Sequence, residues 1–506
     1  MWQKFSFYDV RVIGHYLGVL ISFFSLLLVV PLVTALVLQE WEPATRYLLA
    51  IGLSLIVGSG MRMMRIQPGR LNRQQAMAVT GLAWFFLALI AAVPLALSDH
   101  YASYIDALFE CMSGLTTTGA SIVVDLDHLS NADNMFRFLM HFLGGLGLIV
   151  VALSLGILGK GTSGLYTSEG RSEHVLPNIV NTTRLISRIA IILVGVSAVM
   201  VTIICLIAGM EPIRAVLHAF WISISGFMTA GFTPTSQSIM YYHSLPLEII
   251  CMVLMILGTI NFALFVEIWR GNTTAFFKDI EIRTAFIWLL VITVVFMSSL
   301  AATLTFSGLP EMLRRGVFMV VSSFSTTGFQ VVTSNQITTV FSSGAMLMLA
   351  LLMAVGGSSG STAGGMKLSR IGMIAKSVVA TIKETLAPDS ARVSVVYTHI
   401  EKKVLSSDVV KSAMTVSALF IMTFVIGSLA GVAHGYDATS AIFESVSMAS
   451  NGGLSSGIVS RGMPISLEFL YIIEMWAGRL EFIALLALLV KLVVSVLPNK
   501  PIRRDR

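Results

Sequence analysis

Charge is what this chain has least of. Asp, Glu, Lys and Arg together make up 12% of its 506 residues, where a soluble domain carries about 25%. With 56% apolar residues and a mean hydropathy of +0.85, that deficit excludes an ordinary soluble domain. Cysteine is also scarce. Cys111, Cys205 and Cys251 all lie in apolar stretches without metal spacing, so buried thiols are expected rather than a disulfide framework. The nine histidines form no HExxH or other ligand cluster, which removes the common zinc-hydrolase reading. Long linkers and low-complexity segments are absent as well.

The missing charge is concentrated in runs. No Asp, Glu, Lys or Arg occurs between Arg11 and Glu40, Arg73 and Asp99, Arg188 and Glu211, Arg283 and Glu311, or Lys411 and Asp437. Each run reaches the roughly 20 residues that a membrane-spanning helix needs. The opening MWQKFSFYDV lacks the pattern of a cleavable signal, so the first run is expected to stay as a helix. The net charge of +6 is not a nucleic-acid footprint, because Lys and Arg gather in alternate connections. From Asp99 to Asp133 there are six acids and no Lys or Arg. This positive-inside pattern predicts a multi-pass protein with both termini in the cytoplasm.

A motif recurs four times at fixed offsets. Glycines Gly119, Gly231, Gly328 and Gly453 are each preceded by a serine six residues back: Ser113, Ser225, Ser322 and Ser447. Ten residues back stand the aromatics Phe109, Trp221, Phe318 and Phe443, and two back stand Thr117, Thr229, Thr326 and Asn451. The four cores read TTTGAS, MTAGFT, STTGFQ and SNGGLS. Further glycines, Gly144, Gly258, Gly356 and Gly478, follow by 25, 27, 28 and 25 residues. Regular recurrence at long intervals means a repeated structural unit.

The expected fold is therefore an all-α polytopic membrane protein with about ten transmembrane helices. Two N-terminal helices occupy residues 1–66, near 12–39 and 45–61, and the second has the shorter uncharged core. Four helix–pore-loop–helix units follow, at 67–165, 180–272, 276–388 and 402–497, arranged around one pore. In each unit a short apolar segment enters from the acidic side, ends at the glycine, and is followed by a second long helix. Irregular backbone at membrane depth is tolerated only where it is buried in protein or lines water. Glycine there frees the backbone, so that rings of carbonyls and hydroxyls can replace the hydration shell of a monovalent cation. Converging helix C-termini add partial negative charge. A single S-x-x-x-x-x-G would also fit plain helix C-capping, but four copies in register favour the pore.

The segment VGGSSGSTAGGMKLSR at 355–370 holds Gly356, Gly357, Gly360, Gly364 and Gly365 with Ser358, Ser359, Ser361 and Thr362. At about 1 kcal/mol per glycine against alanine, it reads as an unwound intramembrane loop; a close helix crossing of small residues is the other reading. A strict phosphate-binding loop is excluded by Gly365-Met366-Lys367, which interrupts the Gly-Lys pair. Arg479, in EMWAGRLEF, has no acid at helical spacing. It needs water, carbonyls or a distant acid, and an ion pair with Glu474 or Glu481 is open. Arg137 and His141 read as an interface anchor, and Asn261 as an interhelical hydrogen-bonding residue. Glu110 has two readings, attraction of cations at the mouth or a bond to nearby backbone.

On these four motifs and the two preceding helices, nearly the whole chain resembles the Trk/Ktr/HKT superfamily of potassium uptake proteins, and within it the bacterial TrkH type. The resemblance implies a potassium-selective filter formed by Thr117, Thr118 and Gly119; Thr229, Ala230 and Gly231; Thr326, Thr327 and Gly328; and Asn451, Gly452 and Gly453. In that superfamily a serine in place of the first-loop glycine goes with sodium, so Gly119 favours potassium. The fourth loop departs from T-x-G. The resemblance also implies that the glycine-rich loop is the gate, with Arg479 as a barrier in the pore. It further implies a homodimer in the bacterial inner membrane, lipid as its surroundings, and a cytosolic TrkA-type regulator binding NAD and ATP. No cofactor is expected in this chain, nor enzymatic activity, and potassium is the substrate. The alternatives are a sodium/potassium or proton-coupled cation symporter of the same superfamily and, more distantly, a secondary transporter of a small solute. Basic connections at 161–188 and 367–411 are candidate docking surfaces.

Overall fold

The structure, a computed structural model, describes residues 4–64, 66, 71–123, 125–147, 179–388 and 394–496. Its first span runs from Phe7 to Val37. Ser6 and Asp9 form a reciprocal capping box at its start, satisfying two of the orphan amide donors. A one-residue break at Leu28 separates Phe7–Leu27 from Val29–Val37. Pro31 lies one turn further on, and proline cannot donate to the carbonyl four residues back.

The second span, Trp41–Arg62, has 22 residues, longer than the uncharged core indicated. The difference is Arg46, which is buried rather than at a water interface. Its guanidinium donates to the Pro94 carbonyl at 2.7 Å and to Asp133 at 3.0 Å. Tyr47 donates to the same carboxylate at 2.6 Å. The first two spans cross closely where Gly18 meets Gly58; a Cβ on either would collide with the other helix's backbone. Small residues at such crossings are how membrane helices reach van der Waals contact.

After these two spans, one arrangement recurs four times: a long helix, a short helix, a loop, and a further helix. The long helices are Arg73–Ala96, Ile179–Ile207, Ile280–Ala302 and Ser407–Ala433. The short ones are Tyr104–Leu115, Pro212–Phe227, Leu309–Phe324 and Ala438–Ala449. Along Ile280–Ala302, Phe286, Ile287 and Leu290 are more than half exposed. Apolar side chains facing outward at this density belong in lipid, and the protein is a multi-pass membrane protein.

In the second and fourth units the helix after the loop is broken where a continuous one was expected, and in the third it is interrupted at the glycine-rich segment, as expected. Leu245–Thr259 and Phe262–Trp269 meet at 98°, with Ile260 extended between them and Asn261 capping the second piece through the Ala263 amide. Asn131–Leu146 ends at Gly147 with φ +86°. Ser343–Val355 ends at Gly356, and Ile465–Arg479 is separated from Ile483–Val496 by Glu481 and Phe482 in positive φ. Each break lies beside or just beyond a landmark glycine. Cβ atoms at Gly144, Gly258 and Gly478 would collide with the Leu115, Phe227 and Ala449 carbonyls, so these glycines seat each helix directly on a short helix's last turn.

A two-stranded hairpin, β1 (Val396–His399) and β2 (Glu401–Val404), was not anticipated from the sequence. It sits at the end of the bundle opposite the loops, against the start of Ile280–Ala302, where the Asp279 carboxylate accepts the Ile400 amide.

Removing Arg46 would leave the fully buried Asp133 without its cation. Loss of one partner of a buried pair costs about 3–5 kcal/mol. Arg46→Met is therefore expected to lower the melting temperature of the detergent-solubilised protein by several degrees, measured against Glu42→Gln, which alters only the exposed end of the network.

Candidate functional site

Each short helix ends in the same capping geometry. The amides of Thr118, Ala230, Thr327 and Gly452 donate to the carbonyls of the recurring serines, Ser113, Ser225, Ser322 and Ser447, at 2.7–3.0 Å. One residue earlier, the amides of Thr117, Thr229, Thr326 and Asn451 donate to Gly114, Gly226, Ser323 and Met448. This pair of bonds is a Schellman motif, whose left-handed position is normally glycine. Here that position is Thr117 (φ +58°), Thr229 (+48°), Thr326 (+52°) and Asn451 (+54°). Positive φ is rare for β-branched residues and costs of order 1–3 kcal/mol. Ordinary C-capping therefore does not account for the motif glycines, which come two residues after the cap.

Those glycines have their own requirement. Gly119, Gly231, Gly328 and Gly453 have φ between +70° and +88°. A Cβ on Gly119 would collide with the Ala230 carbonyl, one on Gly231 with that of Thr327, one on Gly328 with that of Gly452, and one on Gly453 with that of Thr118. Each loop thus presses on the next, in chain order, and the fourth closes on the first. All twelve residues expected at the filter lie in this closed ring. The fourth loop, irregular in sequence, has the same backbone signs and capping bonds as the others. Asn451 also bridges loops, donating to Thr118 Oγ1 at 2.9 Å and to the Met475 carbonyl at 3.0 Å.

The segment behind the ring is held by carboxylates. Glu110 accepts the Ile122 amide at 3.1 Å and Glu444 accepts the Ser456 amide at 2.7 Å, each spanning twelve residues. Both glutamates stand one residue after a motif aromatic, an offset visible in the sequence but not recognised there. Glu110 is fully buried and pairs with Arg137 at 2.9 Å, so it does not draw ions at the mouth. Arg137 and His141 are likewise fully buried, which corrects the interface-anchor reading: Arg137 lies over the Phe232 ring, 4.1 Å from its centroid. At the exposed rim, the hydrogen bond from His128 lowers the pKa of Asp125.

Below the ring, residues 356–367 contain no helix, and the crossing-patch reading fails. Gly356 (φ +69°) and Gly365 (φ +79°) lie so close that a Cβ on either would hit the other's backbone. The loop is fastened to the break in the second unit: the Ser358 amide donates to the Thr259 carbonyl at 3.1 Å and the Thr362 amide to that of Gly258 at 3.2 Å. Within the loop, Ser361 Oγ donates to the Ser358 carbonyl and the Gly357 amide to that of Gly364. Gly360 lies against Asn261.

The loop also touches the ring's lower tier. Thr229 Oγ1 donates to Thr362 Oγ1 at 3.1 Å, and the Gly364 amide donates to Thr326 Oγ1 at 2.7 Å. Arg479 donates to Thr117 Oγ1 at 3.2 Å, to the Thr362 carbonyl at 3.0 Å and to the Gly144 carbonyl. Its guanidinium is thus satisfied by oxygens of the ring, the loop and a broken helix. Of the two acids considered for it, Glu481 binds Arg370 and Glu474 accepts from Ser445. The candidate docking segment at 161–178 lies outside the described residues.

Comparisons with known proteins agree with this geometry. The TrkH family, described as cation transport protein, matches residues 45–496. A protein of Methanocaldococcus jannaschii named as an uncharacterized cation transporter is 28% identical over 97% of this chain and 97% of its own length. The Trk system potassium uptake protein TrkH of Halomonas elongata is 29% identical over 95% of this chain and 98% of its own. The crystal structure of the potassium transporter TrkH from Vibrio parahaemolyticus superposes with a TM-score of 0.81 at 25% identity, covering 95% of this chain and 98% of that one.

The Glu444 brace is testable apart from transport. Glu444→Ala removes the acceptor of the Ser456 amide, whereas Glu444→Gln keeps an oxygen. Hydrogen exchange at residues 454–459 is expected to rise at least tenfold in the alanine variant and much less in the glutamine variant. Exchange in the alanine variant equal to that of the unaltered protein would show that Glu444 does not hold the loop.

Proposed function

The chain belongs to the TrkH family of cation transport proteins, and from that premise we propose that it carries potassium across the cytoplasmic membrane through one central pore. The observation that carries this reading is the closed ring of four loops, each glycine abutting the preceding residue's carbonyl in the next loop. We assign Thr117–Gly119, Thr229–Gly231, Thr326–Gly328 and Asn451–Gly453 as the selectivity filter. Carbonyl oxygens replace the ion's hydration shell, and four short-helix C-termini contribute partial negative charge. No acid is needed as a ligand, so the ion is held weakly enough to leave. An inward potential of 100 mV supplies about 2.3 kcal/mol per monovalent ion, so uptake needs no ATP hydrolysis by this chain.

The 356–367 loop and Arg479 act in this reading as the gate. This reading is supported by the contacts of Thr362, Gly364 and the guanidinium with Thr229, Thr326 and Thr117 of the ring. The conformation is a closed one, and opening requires the loop to exchange its bonds to Thr259, Gly258 and Thr326. The four units at 67–165, 180–272, 276–388 and 402–497 are repeats of one module. Charge asymmetry between connections supports cytoplasmic termini. The Trk system named for the relatives supports a regulatory partner, and on the family resemblance we take that partner as a cytosolic TrkA-type protein responding to NAD and ATP, and the transporter as a homodimer of the bacterial inner membrane.

Purified protein in liposomes, with potassium or sodium as the permeant ion, tests the assignment. Potassium flux is expected to exceed sodium flux at least tenfold. Gly119→Ser forces a Cβ against the Ala230 carbonyl and is expected to reduce that ratio several-fold; an unchanged ratio places selectivity elsewhere. Arg479→Ala removes the fixed charge and is expected to raise cation flux in monodisperse protein, whereas reduced flux would mean that the side chain supports the pore instead of blocking it.

A further inference from the structure

At the end of the bundle opposite the loops, three potential metal ligands from separate segments converge. Asp279 caps Ile280–Ala302, Glu281 lies in that helix's first turn, and His399 is the last residue of β1. One ligand atom from each lies within 4.8 Å of the other two. Asp279 and Glu281 are fully buried, and His399 Nδ1 is 3.3 Å from Asp279 Oδ2. Ligands around one ion at about 2.1 Å lie no more than about 4.2 Å apart, so small side-chain rotations close the set.

The carboxylates are already aimed. Asp279 accepts the Glu281 amide at 2.8 Å and the Ile400 amide at 2.9 Å, and Glu281 accepts the Ser359 amide at 2.7 Å. Bonds of this kind orient metal ligands from the second layer. Buried carboxylates are tolerated where they are hydrogen-bonded, paired or bound to a metal. A cavity of about 590 Å³ is lined by His399, Ile400 and Ser359 among others, and so adjoins the cluster on its His399 side.

We propose that Asp279, Glu281 and His399 form a divalent-cation site, suited by its two oxygens and one imidazole nitrogen to Mn²⁺ or Zn²⁺. The ion ties the β1–β2 hairpin to the helix that Asp279 caps. Because Glu281 holds the Ser359 amide, the same ion fixes one end of the 356–367 loop. The site lies away from the filter and depends on none of the potassium assignment.

Chelator-treated, full-length protein in detergent, titrated calorimetrically with Mn²⁺ and with Zn²⁺, is expected to bind one ion per chain. His399→Ala and Glu281→Gln are each expected to weaken binding at least tenfold. The ion should raise the melting temperature of the unaltered protein and leave that of His399→Ala unchanged. No binding by the unaltered protein, or binding by His399→Ala as tight as that of the unaltered protein, overturns the site and leaves a hydrogen-bonded brace. His399 is on the hairpin, outside the helical bundle, so its variant decides the matter even if Glu281→Gln does not fold. The readout is metal occupancy, so failure here leaves the flux experiments to judge the pore.

Discussion

The absence of a side chain at four positions is the constraint on which the rest of this molecule depends. Gly119, Gly231, Gly328 and Gly453 allow each loop's backbone to lie directly against a carbonyl of the next. Any Cβ there would push the loops apart and open the ring. The surrounding architecture serves that contact. The Schellman caps turn the chain out of each short helix, the serine carbonyls anchor the turn, and Gly144, Gly258 and Gly478 let the broken helices press on the short helices' last turns.

The arrangement stores strain where it is used. Three threonines and an asparagine hold left-handed backbone, which persists only where neighbours over-determine it. Their side chains meet Arg479, Thr362, the Gly364 amide and Thr118. The lower tier of the ring is thus bonded to the segment proposed to move. A shift of the 356–367 loop would remove partners from the ring itself, so the gate and filter proposed above would be coupled through these hydrogen bonds. The units have diverged to permit this. The third supplies the loop, the second its anchoring carbonyls, and the fourth the cation.

Buried ion pairs mark where sequence reasoning was weakest. For Arg46 the sequence offered no reading; Glu110 read as either a mouth residue or a backbone acceptor and Arg137 as an interface anchor, because charge in an apolar chain is normally placed at water. Each is satisfied inside the protein, by Asp133, by the Ile122 amide and by Glu110 respectively. Such partners lie 27 to 87 residues apart for the two ion pairs, beyond any helical spacing rule. The paired offset of Glu110 and Glu444, one residue past each motif aromatic, is legible in the sequence.

The sequence by itself determined the membrane setting, the fourfold repeat and the loop residues, because these follow from one-dimensional quantities: charge-free length, alternation of charge and fixed spacing. It also located the glycine-rich segment and Arg479 as departures from a continuous apolar helix. Only the tertiary structure decided which carbonyl each glycine meets, that the second helices of the second and fourth units break, that Arg479 binds oxygens of three segments, and that a hairpin packs against Asp279. Those facts depend on which distant segments approach each other, and hydrogen-bond satisfaction across such approaches has no period in the chain. The motif glycines join the two levels. Their spacing was readable from the start, but only the closed ring reveals what each one touches.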